Sequence, residues 1–346
     1  MPAMPVLLAL AAALLFGAST PLAKLLLGTV DPWALAAILY LGSGLGLFVV
    51  RLFGRRGEAA LRRADLPWLA GAILSGGLVG PVLLMLGLAR TPGNTASLLL
   101  TLEGVATALI AWFAFRENFD RRIALGMAFI VAGSVALAWR GGFDAGGLLG
   151  PLAIAGACVA WGLDNNLTRK VSLADPMQIA MLKGLVAGPV SLALAVAQGA
   201  ALPSWPALAG GALVGFLGYG LSLACFVLAL RGLGSARTGA YFSIAPFAGA
   251  LLAVPLLHEP LTAQVVAGGA LMAIGVWLHL TERHEHDHEH EALEHAHRHT
   301  HDIHHQHLHA ATDPAGEPHV HRHVHTRLRH RHRHPHTPDS HHQHRH

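Results

Sequence analysis

Ten apolar segments of about 20 residues follow one another up to residue 280, and they constrain the fold more than any other feature of the sequence. A helix needs roughly 20 apolar residues to cross the hydrocarbon core of a bilayer, and helices satisfy their own backbone polar groups there. Gly, Pro, Asp or Arg occupy the short breaks between the segments, as at helix ends. The sequence predicts an all-α membrane protein with transmembrane helices over residues 5–27, 32–53, 67–89, 94–115, 122–140, 148–168, 176–198, 206–230, 236–257 and 261–280.

Composition excludes several other classes of protein. The chain is 53% hydrophobic and 13% charged, too apolar for a soluble domain to cover its surface. A formal net charge of +4, without a concentrated basic face, argues against a nucleic-acid partner. The two cysteines, Cys158 and Cys225, lie in apolar segments and do not form a disulfide framework. No Walker-type loop, nucleophile elbow or HExxH motif is present, so we do not expect an enzyme.

Lysine and arginine are unevenly distributed between the connections of the ten segments, and basic residues favour cytoplasmic connections. With the N-terminus inside, the outer side carries only Lys24, Arg90 and Arg140. The cytoplasmic side carries Arg51, Arg55, Arg56, Arg62, Arg63, Arg116, Arg121, Arg122, Arg169, Lys170, Arg231 and Arg237. We therefore expect a multi-pass protein of the cell (inner) membrane with both termini in the cytoplasm.

The two halves of the apolar region resemble each other. Glu117, Gly126 and Gly133 match residues 142 positions later, which are Glu259, Gly268 and Gly275. Phe16-Gly17, Lys24 and Asp31-Pro32 likewise match Trp161-Gly162, Arg169 and Asp175-Pro176 with a one-residue gap. Five segments per repeat is an odd number, so the second repeat must cross the membrane in the opposite sense. We predict repeats over residues 1–141 and 147–280, followed by a tail over residues 281–346.

Three segments resemble a known family. Thr95–Glu117 (TASLLLTLEGVATALIAWFAFRE) and Thr238–Glu259 (TGAYFSIAPFAGALLAVPLLHE) resemble the fourth helix of an EamA repeat, and Ala157–Arg169 (ACVAWGLDNNLTR) resembles its first helix. The chain is thus similar to the EamA family of the drug/metabolite transporter superfamily. That resemblance implies ten helices and a proton-coupled, gradient-coupled or facilitative carrier of a small molecule. The family's usual proline in the fourth helix is Gly104 in the first repeat and Pro246 in the second.

Polar residues inside the predicted helices are candidates for a solute or proton pathway, because a charge at the bilayer centre costs at least ~2.5–3.5 kcal/mol. The polar candidates are Glu103, Asp164, Asn165, Asn166 and Lys183, and Pro246 is added as a proline that can kink a helix and act as a gate. We expect Lys183 to pair with Asp164 or Glu103 and this pairing to change during transport. A purely structural ion pair that holds the helices together is the alternative.

Histidine alternates with other residues throughout the tail, which holds all but His258 and His279 of the 26 histidines. Such a segment has too few apolar residues to bury a core, and we expect it to be disordered without a ligand. Neutral imidazole suits Zn, Ni, Co or Cu. The candidate ligands are His284, His286, His288, His290, His295, His297, His299, His301, His305, His307 and His309. A solubilising tail that binds metal only incidentally is the alternative.

Three functions fit the apolar region and the tail together. The first is a carrier of an unidentified metabolite, amino acid or drug-like compound that works by alternating access and has a metal-binding cytoplasmic tail. The second is an exporter of Zn, Ni or Co that is fed by the tail. The third is a membrane metal sensor that transports nothing. None of them requires a cofactor, and a homodimer remains open.

Overall fold

A computed structural model describes residues 3–53, 61–115, 121–139, 145–171, 175–201, 203–280 and four short segments of the tail. Eight helical segments in this part of the chain are long and apolar enough to cross a membrane, and Ala245–Leu257 and Ala263–Leu278 are shorter apolar helices. The chain is therefore an α-helical, multi-pass membrane protein. The α-helices are α1 Ala3–Leu26, α2 Pro32–Phe53, α3 Leu66–Ala72, α4 Gly80–Arg90, α5 Gly93–Leu99, α6 Leu102–Phe115, α7 Arg121–Ala138, α8 Ala145–Arg169, α9 Pro176–Ala197, α10 Trp205–Gly215, α11 Ser222–Phe242, α12 Ala245–Leu257 and α13 Ala263–Leu280.

Irregular turns interrupt the helices at equivalent places in the two repeats. The π-helical turn Ile73–Val79 joins α3 to α4, and the π-helical turn Phe216–Leu221 joins α10 to α11. Short breaks at 100–101 and 243–244 separate α5 from α6 and α11 from α12. A 3-10 turn, Arg63–Asp65, precedes α3. The predicted break between residues 230 and 236 is wrong, because α11 runs through it and ends only at Phe242.

The main helix contacts cross from one repeat to the other. Helix α2 packs on α9 and α7 on α13, while α1 contacts α11 and α12, and α8 contacts α4 and α6. The pattern of contacts stays the same when each helix is replaced by its equivalent in the other repeat. This is expected when two related repeats pack around a pseudo-two-fold axis. The two repeats thus share one interior, in which residues of both can meet.

Glycines allow the closest of these contacts. A Cβ atom on Gly133 would lie 2.7 Å from the carbonyl oxygen of Gly268, and one on Gly184 would lie 2.6 Å from the backbone nitrogen of Gly44. In lipid, where apolar surface is not driven together by water, such small residues let helix backbones approach and gain packing contacts. The matched glycines Gly126, Gly133, Gly268 and Gly275 therefore belong to the α7–α13 interface.

Four segments of the tail form antiparallel strands: β1 His284–His290 pairs with β4 Leu328–His334, and β2 Leu293–His299 pairs with β3 His319–His325. The expectation of a disordered tail is not confirmed for these segments. The physical reason is that alternation of histidine with other residues has the period of two that suits a strand. In the register of the two strands, Glu285 and Asp287 of β1 are opposite Arg333 and Arg331 of β4.

Candidate functional site

An ion pair between α8 and α9 lies at the centre of the polar residues. The Lys183 Nζ atom donates to Asp164 Oδ1 at 2.5 Å and to Thr168 Oγ1 at 2.9 Å, and Thr168 Oγ1 donates to Asp164 Oδ1 at 2.8 Å. Their side chains are only 17% and 10% exposed for Lys183 and Asp164, respectively. Of the two partners that the sequence offered for Lys183, Asp164 is the one that it contacts. Each charge is thus neutralised by the other inside the helix bundle.

A second polar group joins α8 to α6. Asn165 Nδ2 donates to Glu103 Oε1 at 2.9 Å and to Thr107 Oγ1 at 3.2 Å. Asn166 Nδ2 donates to the backbone oxygens of Thr107 and Gly162, at 3.1 and 2.8 Å. The carboxylate of Glu103 therefore lies beside α8 but accepts its hydrogen bond there from an amide and not from a cation. Consecutive residues of α8 thus bind both neighbouring helices.

The π-helical turn Ile73–Val79 supplies the third side of the site. Its Gly76 carbonyl oxygen accepts hydrogen bonds from Tyr40 Oη at 2.7 Å and from Trp161 Nε1 at 3.0 Å. A π-helical turn shifts the usual backbone pairing, and such turns recur at functional sites. Gly76 also lies against Asp164, because a Cβ atom built on it would overlap the carboxylate. The absence of a side chain at Gly76 therefore sets how closely Asp164 approaches α3 and α4.

The helix break before α6 places Glu103 in the first turn of that helix. The thiol of Cys158 lies 3.7 Å from the backbone oxygen of Leu99 and 4.0 Å from that of Leu100, both at the break. Pro246 occupies the equivalent position at the start of α12, which packs against α1 and α5. Glu103, Asp164, Asn165, Asn166 and Lys183 thus come together, whereas Pro246 lies just after the helix break of the other repeat.

The buried apolar residues are distributed unequally between the two ends of the bundle. Lys24 and Glu259 lie at one end, here called the Lys24 end, where one large cluster includes Leu35, Leu88 and Leu99. Towards the opposite end, the Arg51 end, buried apolar residues form two separate clusters. One joins α3 to α9 around Ile73 and Ile179, and the other joins α6 to α7 around Val105 and Ile130.

One residue of the polar site is accessible. Asn165 is exposed although its neighbours Asp164 and Asn166 are buried. Gly104 is also exposed, and a Cβ atom there would meet nothing within 4 Å. Asn165 binds Glu103 and Thr107 on the neighbouring helix α6, so its exposed amide lies between α6 and α8.

Several residues of the site were missed by sequence reasoning. Thr107 and Thr168 are ordinary residues in apolar helices, and neither their spacing nor their chemistry marks them. Tyr40 and Gly76 join the site only because α2 and the π-helical turn pack beside α8. They contribute to the site only because of the tertiary arrangement. No local pattern in a single sequence marks them as site residues.

The candidate metal ligands lie partly in the strands. His284, His286, His288 and His290 belong to β1, and His295, His297 and His299 belong to β2. His301, His305, His307 and His309 lie outside the described residues. In the helical region, where the structure describes side chains, no group of three His, Cys, Asp or Glu residues is placed to hold a metal ion.

The fold agrees with the comparisons with known proteins, which define the class as a membrane transporter. The model of the EamA-like transporter family matches residues 3–139 and 148–281, that is, both predicted repeats. The chain belongs to this family.

Individual relatives agree with the family. An uncharacterized transporter of Methanothermobacter thermautotrophicus is 29% identical over 290 residues, which cover 77% of this chain and 83% of that protein. Probable 4-amino-4-deoxy-L-arabinose-phosphoundecaprenol flippase subunits ArnE match shorter stretches. The subunit of Pseudomonas fluorescens is 35% identical over 28% of this chain and 84% of its own length. That of Pseudomonas paraeruginosa is 42% identical over 26% of this chain and 75% of its own length.

A solved crystal structure has the same fold, with a TM-score of 0.59 at 20% identity over 79% of this chain and 95% of the other.

Proposed function

We propose that the protein carries a small organic solute across the membrane by alternating access, with Glu103, Asp164, Asn165 and Lys183 lining the solute pathway. The observation that carries this proposal is that Asn165 is exposed while it hydrogen-bonds to Glu103, beside the largely buried pair of Asp164 and Lys183. A solute that reaches Asn165 would compete with the hydrogen bonds of Asn165 and Lys183. That competition would link solute binding to the packing of α6, α8 and α9.

Contacts at the Lys24 end support a closed state on that side. Glu259 accepts hydrogen bonds from the backbone nitrogens of Gly93 at 2.6 Å and Asn94 at 2.8 Å, and so caps α5 of the other repeat. Lys24 Nζ donates to the backbone oxygen of Leu88 at 2.5 Å. These contacts tie the second repeat and α1 to the connection between α4 and α5. Opening this end would require them to break.

Replacing Glu259 by glutamine is expected to open the Lys24 end more often, because the charged cap of α5 is lost. A cysteine introduced by Ser97→Cys reports this opening, because Ser97 is only 1% exposed in the closed structure. The two native cysteines are removed from the background by Cys158→Ala and Cys225→Ala. Loss of a helix cap costs about 0.5–2 kcal/mol, so labelling by a membrane-impermeant maleimide should accelerate about 2- to 30-fold.

Asp31→Asn is the matched control for this labelling experiment. Asp31 caps α2 within its own repeat, accepting from the backbone nitrogens of Trp33 and Ala34 at 2.8 and 3.3 Å. It lies at the same end of the bundle but does not bridge the repeats through these bonds. Equal acceleration by both substitutions would mean that Glu259 has no special role in closing this end.

Counterflow into proteoliposomes of the full chain tests the proposed function itself. A panel of labelled amines, amino acids and sugars, together with Zn, Ni and Co, covers the solute classes considered. Saturable exchange of an organic solute supports the carrier, whereas saturable flux of a metal ion favours the alternative of a metal exporter. A membrane sensor would move none of them, and such a result would contradict transport.

The names of the relatives suggest one candidate among organic solutes. ArnE proteins are named for flipping a lipid-linked amino sugar, and they match a stretch about as long as one repeat. An amine-containing solute is therefore a reasonable first entry into the panel. We further propose that the protein lies in the inner membrane with both termini in the cytoplasm, as the distribution of basic residues indicates.

For the tail, we propose binding of Zn, Ni, Co or Cu by histidines of facing strands. The register sets His284, His286 and His288 of β1 opposite His334, His332 and His330 of β4. In the second pair of strands, His295, His297 and His299 face His323, His321 and His319. Directly opposite residues have Cα atoms about 4.5–5.5 Å apart, and neutral imidazole is a good ligand for these metals. This register supports metal binding by pairs of opposite histidines, and not merely by a high histidine content.

Two double substitutions distinguish metal binding by opposite histidines from binding that depends only on histidine content. Zinc binding to the purified full chain is measured by titration calorimetry. His286→Gln with His288→Gln removes two histidines that face histidines, and it should lower the zinc stoichiometry. His290→Gln with His325→Gln removes two that face Leu328 and Leu293, and it should leave the stoichiometry nearly unchanged. Equal losses would mean that histidine content matters and the register does not.

A further inference from the structure

The carboxylates of the central site outnumber its cations. Lys183 is within electrostatic range of both Asp164 and Glu103, but its ammonium hydrogen-bonds to Asp164. Among the residues whose side chains are described, no lysine or arginine forms an ion pair with Glu103. The hydrogen bond from Asn165 to Glu103 comes from a neutral amide. With its carboxylate ionised, Glu103 therefore leaves the site with one negative charge that none of the described cations contacts.

An uncompensated charge in the membrane is costly, and a site that carries one favours an occupant of opposite charge. An anionic solute would instead be repelled by Glu103, while its attraction to Lys183 would compete with the existing contact to Asp164. A bare divalent metal would not find three His, Cys, Asp or Glu side chains placed to hold it in the described part of the chain. The charge of the site thus favours an organic cation.

Aromatic rings border the same region. Tyr219 lies between two of them, with ring centroids 5.8 Å from Phe16 and 5.9 Å from Tyr40. Phe242 continues this row, with its centroid 5.5 Å from that of Phe16. Tyr40 donates to the carbonyl oxygen of Gly76, which lies against Asp164, so one end of the row lies beside the polar site. Aromatic faces attract cations and also bury apolar groups.

We propose that the central site binds an amine or another monovalent organic cation with an aromatic or bulky apolar body, its positive group on Glu103 and its body along Phe16, Tyr40 and Tyr219. This inference rests on the proposed transport function and names its solute class. The Asp164–Lys183 pair then serves as a neutral wall of the site. Specificity comes from the single charge of Glu103 and from the length of the aromatic row.

Titration calorimetry of the purified full chain with two probes of similar size and opposite charge tests the proposal. 2-Phenylethylamine carries an ammonium group and 3-phenylpropanoate carries a carboxylate on the same ring and linker length. We expect saturable binding of the amine and at least tenfold weaker binding of the carboxylate. Glu103→Gln should weaken amine binding about tenfold or more, since a charge-assisted hydrogen bond is replaced by a neutral one. Glu103→Asp keeps the charge and should retain binding.

Asp65→Asn is the control for loss of a carboxylate elsewhere, because Asp65 caps the 3-10 turn before α3 through the backbone nitrogen of Arg62. It should leave amine binding unchanged. Preferred binding of the carboxylate, or equal amine binding by the parent and Glu103→Gln, would overturn the inference. So would the absence of amine binding by a monodisperse parent protein. Saturable counterflow of an anionic solute would overturn the inference while leaving the transport function intact.

Discussion

Replacing Asp164 by asparagine is expected to abolish transport and to destabilise the folded protein by about 3–5 kcal/mol, because it leaves the Lys183 ammonium without its counter-charge inside the bundle. The ion pair is 2.5 Å long, and its side chains are only 17% and 10% exposed. Thermal unfolding in detergent measures the stability. Counterflow of the solute that the parent protein exchanges measures the transport.

The double variant Asp164→Asn with Lys183→Met separates structure from transport. It removes both charges, so much of the stability that is lost in the single variant should return. Transport should remain absent, because the polar wall of the site is gone. Recovery of both stability and transport would mean that the pair only holds α8 against α9. Full transport and normal expression of Asp164→Asn alone would exclude Asp164 from the mechanism.

Replacing Gly76 by alanine should have the second largest effect. Its Cβ atom would overlap the Asp164 carboxylate, so either that side chain or the π-helical turn must move. Overpacking of this kind typically costs about 1–3 kcal/mol. The shift would also disturb the Gly76 carbonyl oxygen, to which Tyr40 and Trp161 donate. We expect transport to fall steeply, and the same unfolding and counterflow measurements record both effects.

Gly210→Ala is the matched control for this substitution. Gly210 also lies in a membrane helix, but a Cβ atom there would lie 3.6 Å from Leu26 Cδ2, which is an ordinary contact. Alanine favours a helix more than glycine does, so stability should be unchanged or slightly higher. If the two alanine variants behave alike, the close approach of Gly76 to Asp164 is unimportant.

Much of the site could be predicted because charge in an apolar helix is conspicuous. Glu103, Asp164 and Lys183 stand out by the cost of burying them, and they do come together. The sequence did not determine which carboxylate pairs with Lys183, because Asp164 and Glu103 were both candidates. The packing of α9 against α2 and the π-helical turn, which helix periodicity does not predict, fixes the position of Lys183 relative to α8.

The breaks within the helices were the weakest part of the prediction. Apolar segments locate helices that can cross a membrane, but hydropathy does not register a two-residue interruption such as 100–101 or 243–244. The predicted break near residue 233 relied on arginines and glycines, and α11 continues there. Such turns depend on whether neighbouring groups satisfy the freed backbone atoms, as Cys158 does near Leu99.

The sequence by itself determined that the chain is a helical membrane protein with two related repeats, because the length and order of apolar segments follow from the thickness of the bilayer. It also identified the charged residues of the site, since their burial is expensive wherever they lie. Only the tertiary structure decided which partners these residues have, that the Lys24 end is packed and that Asn165 bonds to α6 while it remains exposed. Those features arise from contacts between helices far apart in the chain, and no local pattern of residues encodes them.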